Sequence, residues 1–519
     1  MAFILVTICC AFAALGSFLF GYDTGIIVPS IAQDDFTQHF GEGLNDASVG
    51  GIISSFTGGA IIGSAGVSYI SDTYGRRVAI FVGGLLATLG AALQGGTINI
   101  AMLIAGRFIA GIAIGLMSAT IPVYCSEVAP PRIRGLLAGL QQWMLGWGFV
   151  VAQWVGFGCS HSQTSFSWRF PLSLQALPGF VLAVGALFLP ETPRWLIEHD
   201  MQEEGYKVLV RLHTNKRNNT KNSNDNSTGT TAAPSLVELE YKQISDSIAL
   251  EHSESAHSSW RDLLFNNPTW RHRILLAAGI QALTQCSGIN VINYYGPRIY
   301  ATLGFSTSRS LMIIGISGAL AQTWNTVCLG LLDHIGRRKL LIPSMIGMGA
   351  TLCVEATLTQ YFNPDTSSND HALRAAVAMY FVYSFFFTPL GVISWIYPSE
   401  IFPTGLRARG TSVSTLVNWS LNLVFAQCSP IGLSRLGYRF FYCFMAFNWV
   451  GALLVWAFYP ETVGRSLEEV EEVFEGANGV WTRWGAGRGR RDLENNGVGG
   501  QKGSWGGTDI EMSDMDKVA

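Results

Sequence analysis

Twelve times along the chain the sequence runs for about 20 residues with almost no charge, the length a helix needs to cross a bilayer core about 30 Å thick. The runs lie near 2-28, 48-70, 78-96, 100-124, 135-158, 171-189, 273-296, 309-332, 340-360, 373-397, 409-428 and 439-459. With 13% charged and 49% hydrophobic residues over 519 positions, the chain does not read as a water-soluble globule; the lipid bilayer is its expected surrounding. The first run lacks a basic start and exceeds the about 7 to 15 apolar residues of a secretion signal, so it reads as a retained span. It begins at Met1 with almost no tail ahead of it, the pattern expected of a truncated start.

Orientation follows from Lys and Arg in the short loops. The loops after spans 2, 4, 8 and 10 carry Arg76 and Arg77, Arg132 and Arg134, Arg337 to Lys339, and Arg407 and Arg409, whereas those after spans 1, 3 and 9 carry none. The loops after spans 5, 7 and 11 hold Arg169, Arg298, and Arg435 with Arg439. Both termini are therefore expected in the cytoplasm. Nine cysteines are scattered without CxxC spacing, most of them inside apolar runs, and read as packing residues rather than as disulfide or metal sites. No basic block points to nucleic acid, and no nucleotide loop or nucleophile constellation points to an enzyme or a cofactor.

The polar stretch from Glu191 to Arg271 divides the spans six and six. It contains the Asn-rich "NKRNNTKNSNDNSTGT", read as disordered, between charged pieces able to form short helices. The sequons at Asn218 and Asn226 would be unused in a cytoplasmic loop. On either side, three signals recur in the same order. "SDTYGRR" after span 2 matches "LDHIGRR" after span 8, setting Asp72, Arg76 and Arg77 opposite Asp333, Arg337 and Arg338. "PVYCSEVAPPRIRG" matches "WIYPSEIFPTGLRARG", each with a Glu seven residues before an Arg: Glu127 with Arg134, and Glu400 with Arg407. "LPETPRW" matches "YPETVGR". Such ordered repetition marks a duplicated six-helix unit. Its charges sit at helix ends on one membrane face, where they can bridge neighbouring helices as a latch that holds while that face is closed.

Together with "GYDTG" in span 1, "GRFIAGIAIG" in span 4, "QALTQCSGINVINYY" in span 7, "WIYPSEIFP" and "PETVGRSLEEV", these motifs resemble the sugar porter family of the major facilitator superfamily over about residues 1 to 475. The resemblance implies an all-α membrane protein of twelve transmembrane helices in two six-helix bundles, with a small cytoplasmic helical domain between them. The expected division is 1-190, the N-terminal bundle; 191-271, the linker; 272-460, the C-terminal bundle; and 461-519, a largely disordered cytoplasmic tail. It further implies a monosaccharide as substrate, bound near mid-membrane and moved by rocking of the bundles, in a chain working as a monomer, by default in the plasma membrane.

A sugar offers hydroxyls that donate and accept and an apolar C–H face, which amides and aromatic planes match. Span 7 is rich in such groups: Gln281, Thr284 and Gln285 share a helical face, and Asn290 lies beyond Gly288, which can loosen the helix. The family pattern adds Gln142 in span 5, Trp395 in span 10 beyond Pro389 and Gly391, and Asn418 and Asn422 in span 11. Three positions depart from it: Thr284 replaces the first Gln of the usual pair, Ala321 an Asn, and Phe387 the acidic residue of many glucose facilitators. These departures fit another monosaccharide or a polyol as well as glucose.

Two charges stand out at membrane depth. A charged side chain at the centre of a lipid-buried helix costs roughly 2.5 to 3.5 kcal/mol on insertion scales and is normally paired. Charge economy and the family pattern both set Asp23 beside Arg107. Proton-driven members usually carry Asp at this position and passive ones Asn, so the resemblance implies sugar:proton symport, with Asp23 taking a proton and releasing Arg107. A passive facilitator, or a sensor that signals through its tail, are the alternatives. The short Gly-rich tail, without an amphipathic helix, speaks against the sensor. Glu355 in span 9 has no family role and reads as a crevice or inter-helix contact.

Overall fold

The structure is a computed structural model that describes residues 2–41, 44–129, 134–213, 236–255, 268–302, 304–362, 370–402, 404–462 and 474. The described residues form helices and no strand, as lipid demands of a chain that must satisfy its backbone polar groups within each span. Among the described residues, ten helical segments are apolar and long enough to cross a membrane: Ile4–Ile31, Asp46–Asp72, Arg76–Gly95, Ile100–Val128, Phe166–Ala186, Pro268–Ala301, Thr307–Leu332, Arg337–Tyr361, Arg374–Ile401 and Arg439–Phe458. Arg134–Cys159 and Thr404–Leu436 are as long, but their glutamines and asparagines lower their mean hydropathy. These twelve, in chain order, are spans 1 to 12.

Several helices differ in extent from the apolar runs that announce them. Span 11 covers Thr404–Leu436 rather than 409-428, because its backbone hydrogen bonds continue into polar flanks where hydropathy has already fallen. Span 6 begins earlier, at Phe166, and ends earlier, at Ala186, before the Pro190 turn. Span 7 is broken: Pro268–Cys286 and Ile289–Thr302 are separate helices on either side of Gly288, whose φ of +94° favours glycine.

Within the first half, span 1 packs on span 5, 2 on 4, and 3 on both 4 and 6; in the second, 7 packs on 11, 8 on 10, and 9 on both 10 and 12. The pairing is the same after six spans are added, so the duplication visible in the loops extends to the packing. Between the halves, span 2 meets span 11 and span 5 meets span 8. Close approach comes from small residues. A Cβ on Gly21 would stand 1.9 Å from the Leu145 carbonyl oxygen, and one on Gly111 2.0 Å from that of Phe56. Spans 1 and 5, and 2 and 4, therefore touch backbone to backbone.

The linker contributes Pro193–Glu198, Gln202–His213 and Leu236–Ser255. Thr192 caps the first, and the second lays Val208 and Leu212 on the apolar cluster that holds Val6 and Cys10 of span 1. Asn218, Asn226, the Asn-rich segment, the tail beyond Phe474, and the side chains of Arg134, Asp333 and Arg407 lie outside the described residues.

Candidate functional site

Asp23 lies two residues past Gly21, and Arg107 one turn before Gly111, so two close backbone contacts of the first half set the pair's positions. Arg107 Nη1 donates to Asp23 Oδ1 at 2.6 Å and to the Asp23 carbonyl at 3.0 Å, and the guanidinium lies 4.4 Å from the centre of the Phe56 ring. The side chains are 1% and 3% exposed. Burial at this depth makes each charge dependent on the other.

Across the interior, spans 7 and 11 are joined by amides. Gln285 Nε2 donates to Asn418 Oδ1 at 2.6 Å, and Asn290 Nδ2 donates to Gln285 Oε1. The Tyr294 hydroxyl donates to Asn422 Oδ1 at 3.3 Å. Gln281 Nε2 donates to the Ser394 carbonyl at 2.9 Å, leaving its Oε1 buried without a hydrogen-bond partner, as is Trp419 Nε1 beside Asn418. The Trp419 ring packs against Phe20, three residues before Asp23, with centroids 5.7 Å apart. This contact ties the amide-bearing helix to the charged one.

Of the residues the sequence singles out, Gln285, Asn290 and Asn418 form one chain, and Asn422 is bonded to span 7 through Tyr294. Thr284 turns back to its own helix, donating to the Ile280 carbonyl at 2.9 Å. Gln142 is half-buried, and Trp395 is 38% exposed with no hydrogen bond or ring contact among the described residues. Tyr294 escaped the sequence reading because an aromatic in an apolar span looks like packing; only its position four residues past Asn290 hinted otherwise.

On the face of the GRR loops, each half closes its own cluster. Arg76 Nε lies 3.2 Å from Glu127 Oε2, and Arg76 Nη1 lies 3.4 Å from Asp72. Arg337 Nη2 meets Glu400 at 2.7 Å. The carboxylates that the motif comparison passed over, Glu191 and Glu461 of the two PET sequences, bind backbone. Glu191 accepts from the amides of Arg76 at 3.0 Å and Arg77 at 3.2 Å, and Glu461 accepts from those of Arg337 at 2.8 Å and Arg338 at 3.1 Å. Each thus caps the exposed N–H groups at the start of span 3 or span 9. Burial pushes the Glu191 carboxyl up, against the lowering by these amides. The preceding glycines, Gly75 and Gly336, have φ of +97° and +103° and lie directly under the capping carboxylates. Arg77 and Arg338 donate to the Leu187 and Trp456 carbonyls. Among the described residues both clusters lie within one half rather than between halves.

On the opposite face the halves touch. Arg298 Nη1 meets Asp46 at 2.7 Å, and the Ser54 hydroxyl donates to Gln427 Oε1 at 2.7 Å. Deeper in, Gln322 Nε2 donates to the Trp143 carbonyl at 3.0 Å.

Twelve spans in two equivalent halves, with polar groups gathered where the halves face, define a membrane carrier of the major facilitator fold. The profile of the family described as sugar (and other) transporter matches residues 9–474. The chain belongs to that family, the sugar porters. It is 36% identical to the MFS-type transporter criB of Aspergillus cristatus, covering 92% of this chain and 94% of that protein. It is 30% identical to a high-affinity glucose transporter of Kluyveromyces lactis, over 89% and 84%. Among solved structures, the proton:xylose symporter XylE from E. coli superposes with a TM-score of 0.70 at 23% identity, covering 90% of this chain and 99% of the other.

Proposed function

We propose that this carrier imports a monosaccharide by alternating access and couples it to proton entry through Asp23. The observation that carries the coupling is the buried Asp23–Arg107 pair, 2.6 Å apart. A carboxylate at that depth is tolerated either with its cation or with a proton, so separating spans 1 and 4 trades one for the other. In the proposed cycle Asp23 takes a proton from the outer side and Arg107 is released. The sugar then engages the amides of Gln285, Asn290, Asn418 and Asn422, the unpaired Gln281 oxygen, and Gln142, Thr284 and Trp395 around them. The Phe20–Trp419 contact links this occupancy to the helix that carries Asp23.

Rocking requires the bundles 1-190 and 272-460 to move about the linker 191-271. The contacts Asp46–Arg298 and Ser54–Gln427 then open when the face opposite the GRR loops opens. On this reading the GRR face, the linker and both termini are cytoplasmic, and the Arg76 and Arg337 clusters rigidify each half so that it moves as one body. The carrier works as a monomer in the plasma membrane. Glucose transport by a relative and xylose transport by a structural neighbour make hexoses and pentoses the first substrates to try.

Asp23→Asn keeps the shape of the pair without the titrating group. It should preserve sugar exchange in cells lacking their own hexose carriers while abolishing uphill accumulation and sugar-induced alkalinisation of the medium. An Asn variant that still concentrates sugar would refute the coupling through Asp23, and a wild type that only equilibrates sugar would be a passive facilitator.

A further inference from the structure

The second half holds one more carboxylate at membrane depth. Glu355 of span 9 is 1% exposed. Its Oε1 accepts from the Tyr380 hydroxyl of span 10 at 2.6 Å and from the Thr359 hydroxyl one turn along at 3.1 Å, while its Oε2 is buried with no hydrogen-bond partner. The titratable groups facing it are phenols: Tyr380 and, from span 7, Tyr300, whose ring packs edge-on against that of Tyr380 at 5.6 Å. Span 12 offers Tyr442, but its hydroxyl meets Thr357 at 3.2 Å instead. Among the described residues no lysine, arginine or histidine pairs with Glu355.

Asp23 shows what this chain supplies to a carboxylate it keeps charged: a guanidinium at 2.6 Å. Glu355 has two hydroxyls on one oxygen and nothing on the other, which leaves an anion largely uncompensated. A proton from water added to Oε2 removes the charge and leaves both hydroxyl bonds to Oε1 intact. We propose that Glu355 is a second proton-binding site, held as the neutral acid in a phenol-lined pocket and linked to the sugar cluster through span 7. The link is mechanical. Tyr300 lies on Ile289–Thr302, the same piece of span 7 that carries Asn290 and Tyr294, beyond the break at Gly288. Movement of that piece when sugar binds moves Tyr300 against Tyr380 and alters the hydroxyl that faces the carboxyl. The linkage rests on the sugar-binding reading above; the protonation does not.

Infrared spectra of the purified wild type and Glu355→Gln, recorded without sugar at neutral pH, test the protonation. The wild type should show a carboxylic-acid C=O band that the Gln variant lacks and that fades as pH is raised. Glu355→Asp, which keeps the acid on a shorter stem, should shift the band, so a folding defect in one variant does not decide the outcome. Acid bands identical in all three proteins would overturn the site. D-glucose and D-xylose are then added to the same samples. A sugar-induced change in the band that is absent in Glu355→Gln supports the linkage, and an unchanged band in protein that binds sugar overturns it. Protein that binds no sugar counts against the proposed function while the sugar-free spectra still decide the proton site.

Discussion

Removing either partner of the Asp23–Arg107 pair should be costly, but the two costs should depend differently on pH. Breaking a buried pair by deleting one side typically costs about 3 to 5 kcal/mol. In Asp23→Ala the stranded Arg107 keeps its bond to the backbone carbonyl at position 23, 3.0 Å away, and the Phe56 face at 4.4 Å. A carbonyl bond to a charged group is worth about 1.5 to 3 kcal/mol and a desolvated cation–π contact about 2 kcal/mol, so the loss should fall at the low end, about 3 kcal/mol. A guanidinium does not give up its proton in proteins, so the stranded Arg107 adds no pH dependence of its own to that variant's stability. In Arg107→Ala the stranded group is a carboxyl, which a proton can neutralise. Its stability should be present at low pH and fall as pH rises past the point where the folded protein releases that proton, by up to about 1.4 kcal/mol per pH unit. The assay is thermal unfolding of the purified variants at about pH 5 and about pH 8. The double variant should cost less than the sum of the singles, because neither charge is left alone. Additive losses, or an Arg107→Ala loss equal at both pH values, would refute the dependence of each charge on the other.

Three further outcomes follow from the packing and the hydrogen bonds. Glu191→Ala and Glu461→Ala each uncap two backbone amides, and each should lower stability by about 1 to 2 kcal/mol in unfolding measurements; effects differing by more than that range would contradict the equivalence of the halves. Gly288→Ala forces a side chain into φ +94° with the new Cβ 2.8 Å from the Phe444 ring, which should cost about 1 to 3 kcal/mol and weaken sugar binding in equilibrium titrations. Asn418→Ala strands Gln285 Nε2 and should cost about tenfold or more in sugar affinity, whereas Trp395→Phe, at a residue without polar contact to the cluster, should cost less.

What could be read from the sequence divides along a physical line. Span number follows from counting apolar residues, because lipid imposes a length on each helix. That a buried Asp and a buried Arg need partners follows from desolvation alone. Recurring arginines and carboxylates suggest side-chain pairs, whereas Glu191 and Glu461 bind main-chain amides, which leave no mark in residue identity. The contact of Ser54 with Gln427 is likewise not legible, since it joins residues 373 apart in the chain and depends on the rotation of two helices. Gly288 was visible as a weak point in span 7, but the break becomes definite only with a backbone φ of +94°.

The duplication also separates structural work from ligand work. The positions that recur after six spans are those that hold a half together: the GRR glycine at positive φ, the glutamate packed against it, and the Arg76–Glu127 and Arg337–Glu400 pairs. The buried Asp23–Arg107 pair and the amides of span 7 do not recur. Span 4 carries Arg107, whereas span 10 carries Pro389 and Trp395; span 1 carries a carboxylate, whereas span 7 carries amides. On the proposed reading a symmetric frame lets both halves rock as equivalent bodies, while the asymmetric lining sets the Asp23–Arg107 pair in one half and the amides of Gln285, Asn290, Asn418 and Asn422 in the other. Coupling on the proposed reading must then pass between the halves, and contacts such as Phe20 on Trp419 are where it has to cross.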